Sequence, residues 1–220
     1  MQPVIIFGVG EAAQVAHFYL THDSDYNVQG FTVEQAYLVS PTFCNLPVVA
    51  FEEIEQLYCP SQFNMLVAIG YSKLNTIRAE KCKLAKIKGY KLISYVSSKA
   101  TVWPDLSIGE NCFILEDNII QPFVKIGNNV TLWSGNHIGH HTRIGDNCFI
   151  TCRVVISGGV EVGNNCFIGV NATVRDHIKI GEKSVIGAGA LLLADADPEG
   201  VYMGTATERS KVPIRRLKGI

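Results

Sequence analysis

The sequence predicts a small α/β domain over residues 1–97, followed by a parallel β-helix of about five coils and a C-terminal tail over residues 98–220. Three observations carry this. From Ile108 to Leu192 every sixth residue is Ile, Leu or Val, fifteen positions without a miss. Glycine follows that aliphatic residue at 109, 127, 139, 145, 163, 169, 181 and 187. Upstream of the array, short apolar runs alternate with helical stretches, as in a parallel sheet covered by helices. A period of six fits neither a helix at 3.6 nor a strand at 2. It marks a β-helix in which each hexad makes one short strand and one turn.

In chain order, Val4–Phe7 is an all-apolar run of the kind a buried parallel strand needs. Gly8-Val9-Gly10-Glu11-Ala12-Ala13 is a G-x-G-x-x-A turn that opens a helix to about His22. Val28–Val33 reads as a second strand ending at Glu34. A proline-marked loop and a short helix, Phe51–Tyr58, follow. Met65–Ile69 is a third strand, stopped by Gly70. Residues 74–88 form a helix with Leu74, Ile77, Leu84 and Ala85 on one face, and Lys91–Val96 is a fourth strand.

The glycine turn points backbone N–H groups and a helix N-terminus at an anion. An acid at the end of the second strand, here Glu34, accepts hydrogen bonds from a ribose or a base. A tight strand–helix turn needs glycine in any case, so the fingerprint alone is weak. Only one such half fits into 97 residues, which suits a mononucleotide head better than NAD.

Composition sets bounds. The 220 residues are 47% hydrophobic with a formal net charge of −1, and no basic stripe interleaved with aromatics argues for nucleic acid. The opening MQPVIIFGVG lacks a basic n-region and a cleavage site, and no apolar run is long enough to span a membrane. Seven cysteines without CxxC spacing then read as reduced thiols of a cytoplasmic protein. The tail residues Arg209, Lys211, Arg215, Arg216 and Lys218 read as a solvated end, with contact to a phosphate-rich ligand as the alternative.

In the array, three hexads close a coil, so residues 18 apart stack. The position two before each aliphatic also faces inward. It is mostly small or apolar (Cys112, Val130, Cys148, Val154, Cys166, Ala172), and Asn118 and Asn136 there suggest an asparagine ladder. Phe113, Phe149 and Phe167 share one coil position and are expected to bury against neighbouring subunits.

One stretch departs from this pattern chemically. Trp133 to His141 holds three of the six histidines, His137, His140 and His141. His140 falls at a turn, with Gly158 one coil beyond it. Three readings stay open: a polar corner, a metal site built from imidazoles, and a general base of near-neutral pKa.

The hexad array resembles the left-handed β-helix acyltransferases, which use acyl-CoA and work as trimers. Together with Gly8-Val9-Gly10, Ala68-Ile69-Gly70-Tyr71, the His140 stretch and Ile186-Gly187-Ala188-Gly189-Ala190, the whole layout is similar to the sialic-acid O-acetyltransferase-like family. The resemblance implies a left-handed coil, a homotrimer and an acetyl-CoA-dependent N-acetyltransferase. Its substrate would be a nucleotide-linked 4-amino-4,6-dideoxy sugar in surface-glycan synthesis. It carries the catalytic histidine to His140, with His141 at the position where an acid often follows. Gly8, Gly10, Glu34, Gly70, Tyr71, Asn136 and His137 fall on the sugar-nucleotide side. Gly158, Phe149, Val170, Ala188 and Gly204 fall on the acetyl-CoA side, and no metal is implied. Phe149 stands where some members carry a second histidine, and the C-terminal Gly-x-Pro-Ala signature reads Gly204-Thr205-Ala206-Thr207. The alternatives are sugar O-acetylation and a non-catalytic nucleotide-sugar-binding trimer.

Overall fold

The computed structural model describes residues 2–208 and 216. The N-terminal elements are β1 (Gln2–Phe7), α1 (Glu11–His22), β2 (Tyr26–Val33), β3 (Thr42–Phe43), β4 (Leu46–Ala50), α2 (Ile54–Leu57), β5 (Asn64–Val67), α3 (Thr76–Ile87) and β6 (Lys91–Leu92). The sheet order is β3-β4-β2-β1-β5-β6, parallel throughout except for the β3–β4 pair. β1 is central and wholly apolar at Val4–Phe7 because both of its faces are covered. Val4 and Ile6 pack against Ala13, Ala16 and Leu20 of α1, whereas Ile5 and Phe7 pack against Phe51, Ile54 and Ala85 on the other side.

Two strand readings need correction. Leu46–Ala50, expected as loop, is a strand beside β2. Pro47 hid it, and the ladder to β2 begins only at Val48, after the proline. The expected strand Lys91–Val96 is split: Lys91–Leu92 ends the α/β sheet, whereas Tyr95–Val96 pairs with Phe113–Ile114 in the prism. The chain therefore changes partner within two residues.

The prism contains fifteen two-residue strands from Ser107–Ile108 to Leu191–Leu192, in registers of 18; His137 lies between Ile119 and Val155. Tyr95–Val96 and Val201–Tyr202 extend one face to seven strands, beyond the five coils of the hexad count. The hexad aliphatics fill the interior with Cys112, Cys148, Cys166, Val130, Val154 and Ala172, all fully buried. Ser184 is also fully buried, its hydroxyl donating to the Asp197 carbonyl.

The three outer faces differ. The charged face carries Lys125, Arg143, Glu161 and Lys179. The aliphatic face exposes Ile119, Val155 and Leu191 around half-buried His137. The aromatic face carries Phe113, Phe149 and Phe167, and here the expectation of a subunit contact is corrected. The chain's own N-terminal domain covers this row: Tyr71 packs on Phe149 and Phe167 with centroids 4.9 Å away in both cases, and Tyr19 packs on Phe113. Two polar latches close the seam. Asp23, just after α1, accepts hydrogen bonds from the hydroxyls of Tyr95, Ser97 and Ser98 and from the Ser98 N–H. Tyr19 and Ser134 both donate to Glu116, at 2.5 and 2.7 Å.

Among the described residues no helix is long and apolar enough to cross a membrane. Of the basic tail, Arg209, Lys211, Arg215 and Lys218 lie outside the described residues.

Candidate active site

The glycine turn sits at the carboxyl end of β1. Gly8 has φ +128°, its N–H donates to the Thr32 carbonyl at 2.8 Å, and a Cβ there would lie 2.6 Å from the Ala68 oxygen. The close approach of three strand ends therefore demands this glycine. Gly10 caps α1 without a side-chain hydrogen bond, and a Cβ there would meet nothing within 4 Å. Its bareness leaves the first N–H groups of α1 accessible.

Two cavities flank this turn and share Ile69 and Gly70. The first, about 460 Å³, is lined by Gly8, Val9, Glu34, Tyr37, Lys73 and Lys81. In it the Glu34 carboxylate meets the Lys81 ammonium at 2.5 Å, and Glu80 approaches the same ammonium at 3.1 Å. Burial opposes the charge on Lys81, but the two carboxylates outweigh it and hold its pKa above the usual range. Among the described residues Lys81 takes one Glu34 oxygen and nothing takes the other, which leaves it for a ligand.

The second cavity, about 580 Å³, lies between the domains. It runs from Gly10 and Glu11 at the start of α1 to Tyr71, Trp133 and Phe149. Arg78, 2% exposed, forms part of its wall. Its guanidinium donates to Thr131 Oγ1 at 2.6 Å and the Asn129 carbonyl at 2.9 Å, and lies 5.6 Å from the Phe149 ring centroid. Burial lowers its pKa to about 10, which still leaves it charged at neutral pH. Sequence reasoning missed Arg78 and Lys81 because it assigned the inner face of α3 to apolar residues. The buried stripe is Asn75, Arg78, Lys81, Cys82 and Ala85. The recurrence of polar residues at 75, 78 and 81, three apart on one helix face, was the available signal.

His140 and His141 form the turn between the aliphatic and charged faces. The His140 N–H donates to Gln121 Oε1 at 2.8 Å, and the two Nδ1 atoms are 3.1 Å apart, so one ring donates to the other. When His140 is the donor, its Nε2 carries the lone pair. That ring lies flat against Gly158: a Cβ there would be 2.6 Å from His140 Cε1 and 2.8 Å from Nε2. The Gly158 N–H donates to no group among the described residues. The corner thus presents an imidazole, a free backbone N–H and no intervening side chain. Among the described residues no group of three or more His, Cys, Asp or Glu is placed to hold a metal ion.

Other expected residues are distributed as follows. His137 is half-buried on the aliphatic face. Asn136 does not meet a substrate: it is 1% exposed, its amide donates to Asn118 Oδ1 and the Trp133 carbonyl, and its own oxygen accepts the Val154 N–H. It is a rung of the inner ladder. Val170, Ala188 and Gly204 follow one another along the corner between the aromatic and aliphatic faces; the Gly189 N–H donates to the Val170 carbonyl, and Gly204 lies against the Ala188 backbone. Gly158 lies across the aliphatic face from them. Phe149, expected beside acetyl-CoA, instead lines the interdomain cavity. The corner of His140 is the one opposite the aromatic face, so one chain holds the cavities and the histidine on opposite sides of the prism.

Residues 105–140, 123–158, 141–176 and 159–194 match the family model described as bacterial transferase hexapeptide (six repeats). No curated protein matches the chain in sequence. Solved structures do. Perosamine N-acetyltransferase from Caulobacter crescentus, a histidine-to-asparagine variant solved with CoA and GDP-perosamine, is 25% identical. It matches over 93% of this chain and 94% of its own, at TM-score 0.81. The acetyltransferase domain of PglB from Neisseria gonorrhoeae, solved with acetyl coenzyme A, is 21% identical over 92% of this chain and 96% of its own, at TM-score 0.80. WeeI from Acinetobacter baumannii is 16% identical over 93% and 97%, at TM-score 0.78. The fold is thus an α/β domain followed by a left-handed parallel β-helix of hexapeptide repeats.

Proposed function

We infer that the chain is an acetyl-CoA-dependent N-acetyltransferase for the amino group of a nucleotide-linked sugar, of the 4-amino-4,6-dideoxy class. One observation carries the reading: the His140 ring lies on Gly158, whose N–H is unpartnered among the described residues. Acyl transfer to an amine needs those two functions together. The amine nitrogen attacks the thioester carbon and gives its proton to His140 Nε2. The carbonyl oxygen gains charge as the tetrahedral adduct forms, and the Gly158 N–H meets it. Collapse breaks the C–S bond and releases the thiolate. His141, accepting the hydrogen bond from His140 Nδ1, holds His140 in the tautomer with its lone pair on Nε2, in place of a carboxylate.

The sugar nucleotide suits the N-terminal cavities. Glu34 and Lys81 face a base or ribose, the start of α1 faces the diphosphate, and the aromatic walls of Tyr71, Trp133 and Phe149 face the sugar. Likeness to an enzyme solved with CoA and GDP-perosamine supports a sugar nucleotide and an acyl-CoA as the two ligands. Because His140 lies on the far side of the prism, a neighbour's corner must complete each site. The exposed aliphatic face, with Ile119, Val155 and Leu191, supports a homotrimer closed through that face and the adjoining His140 corner. Its apolar strip runs between Gly158 and the Val170–Ala188–Gly204 corner, which suits the acyl donor. Light scattering is expected to give three times the 24.1 kDa chain mass.

The decisive measurement is thiol release from acetyl-CoA with nucleotide-linked amino sugars. His140→Ala is expected to lower kcat by about 10²–10⁴ with little change in KM. Retention of more than about a tenth of wild-type kcat across pH 6 to 9 removes the general-base role. Product analysis distinguishes amide from ester, and absence of turnover with every amino sugar leaves the binding-only reading.

A further inference from the structure

The glycine at 158 is followed by a second, and the two face different rings. At the equivalent turn position of successive coils the residues are Phe123, His141, Gly159 and His177, all with positive φ between +57° and +69°. Three side chains adopt this conformation, so the backbone does not demand glycine at 159. What a side chain there would strike is the His177 ring: a Cβ on Gly159 would overlap Nδ1 and lie 2.7 Å from Cε1. The His177 N–H donates to the Gly158 carbonyl at 3.0 Å, and the Gly159 N–H donates to the His140 carbonyl at 2.8 Å. His140 thus leans onto Gly158 from one coil, and His177 leans onto Gly159 from the coil on the other side. The two imidazoles bracket a strip of bare backbone.

From this bracket, and resting on the acyl-transfer reading above, we infer that His177 is the acid that protonates the departing CoA thiolate. His140, against Gly158 from one coil, faces the attacking amine, and the ring on the other side of that backbone, where the sulfur departs, is His177. Gly158 lies between the rings, so a thioester whose oxygen meets the Gly158 N–H has His140 on one side and His177 on the other. In the step, the C–N bond forms and the amine proton goes to His140. The C–S bond then breaks and the His177 proton goes to sulfur, giving the amide and CoA–SH. His140 returns its proton through solvent and His177, which is 73% exposed, regains one from solvent. The charged neighbour facing His177 is Asp176, whose carboxylate lies 4.0 Å from Nε2.

The test is the dependence on leaving group, with the full chain. His177→Gln and His177→Ala are compared with wild type using acetyl-CoA and an acetyl ester of p-nitrothiophenol, whose thiolate departs without help. The expected result is a fall in kcat of about 10²-fold with acetyl-CoA and a change of less than about threefold with the aryl thioester. His140→Ala should slow both donors, because the amine must still lose its proton. An equal loss with both donors, or no loss with acetyl-CoA, overturns the acid role while leaving the acyltransferase intact. Absence of acetyl-CoA turnover in the wild type overturns both.

Discussion

Gly158→Ala tests the site by moving one ring. The new methyl would lie 2.6, 2.8 and 3.0 Å from His140 Cε1, Nε2 and Nδ1, where ordinary contact begins near 3.4 Å. The ring must retreat by about 0.8 Å. A misplacement of about 1 Å at the reacting centre costs up to about 10²-fold. We therefore expect kcat to fall by about 30- to 100-fold, or about 2–2.7 kcal/mol of barrier. Stability should change by less than about 0.5 kcal/mol, since His140 is exposed and free to shift and Gly158 does not have positive φ. Gly139→Ala is the contrast. Its methyl would lie 2.5 Å from the Gly158 nitrogen and the Ser157 carbonyl carbon, which are backbone and cannot yield without distorting the coil. That variant should lose about 1–3 kcal/mol of stability. The assays are steady-state thiol release and thermal unfolding on the same preparations. A Gly158→Ala protein that folds normally and keeps kcat within threefold of wild type refutes the reasoning, because the displaced imidazole would then be irrelevant to the chemistry.

Glu34→Gln should raise KM for the sugar nucleotide and lower kcat/KM about ten- to a hundredfold, with KM for acetyl-CoA unchanged, as expected for the loss of one charge-assisted hydrogen bond; equal effects on both substrates count against Glu34 as a nucleotide contact. Asp23→Asn should weaken the domain seam. The hydroxyls of Ser98 and Tyr95 and the other donors hold the Asp23 carboxyl well below the usual carboxylate range. A depressed folded-state pKa contributes stability above the unfolded value of about 3.9, which is lost as pH falls below it. The stability gap between wild type and Asp23→Asn in urea melts should therefore be full at pH 7 and shrink below about pH 4; a pH-independent gap would disprove the carboxylate's role.

The sequence by itself determined the prism. A six-residue period leaves no other regular geometry, and stacking by 18 places Asn118 beneath Asn136 and His140 beside Gly158 before any coordinates exist. It also located the glycine turn and Glu34, because a strand–turn–helix is a local arrangement. What it did not determine depends on long-range burial. The phenylalanine row was legible as a covered surface, yet periodicity within the prism does not say what covers it; that required the α/β domain to fold back through Tyr71, Tyr19 and Asp23. Arg78 and Lys81 were invisible for the same reason: charged residues on a helix read as solvent-facing until tertiary structure supplies Thr131 and the Asn129 carbonyl for one and Glu34 for the other. His177 shows the limit from within the repeat. The register alone puts it one coil beyond Gly159, but only the side-chain direction, which the period leaves free, turns its ring onto that glycine.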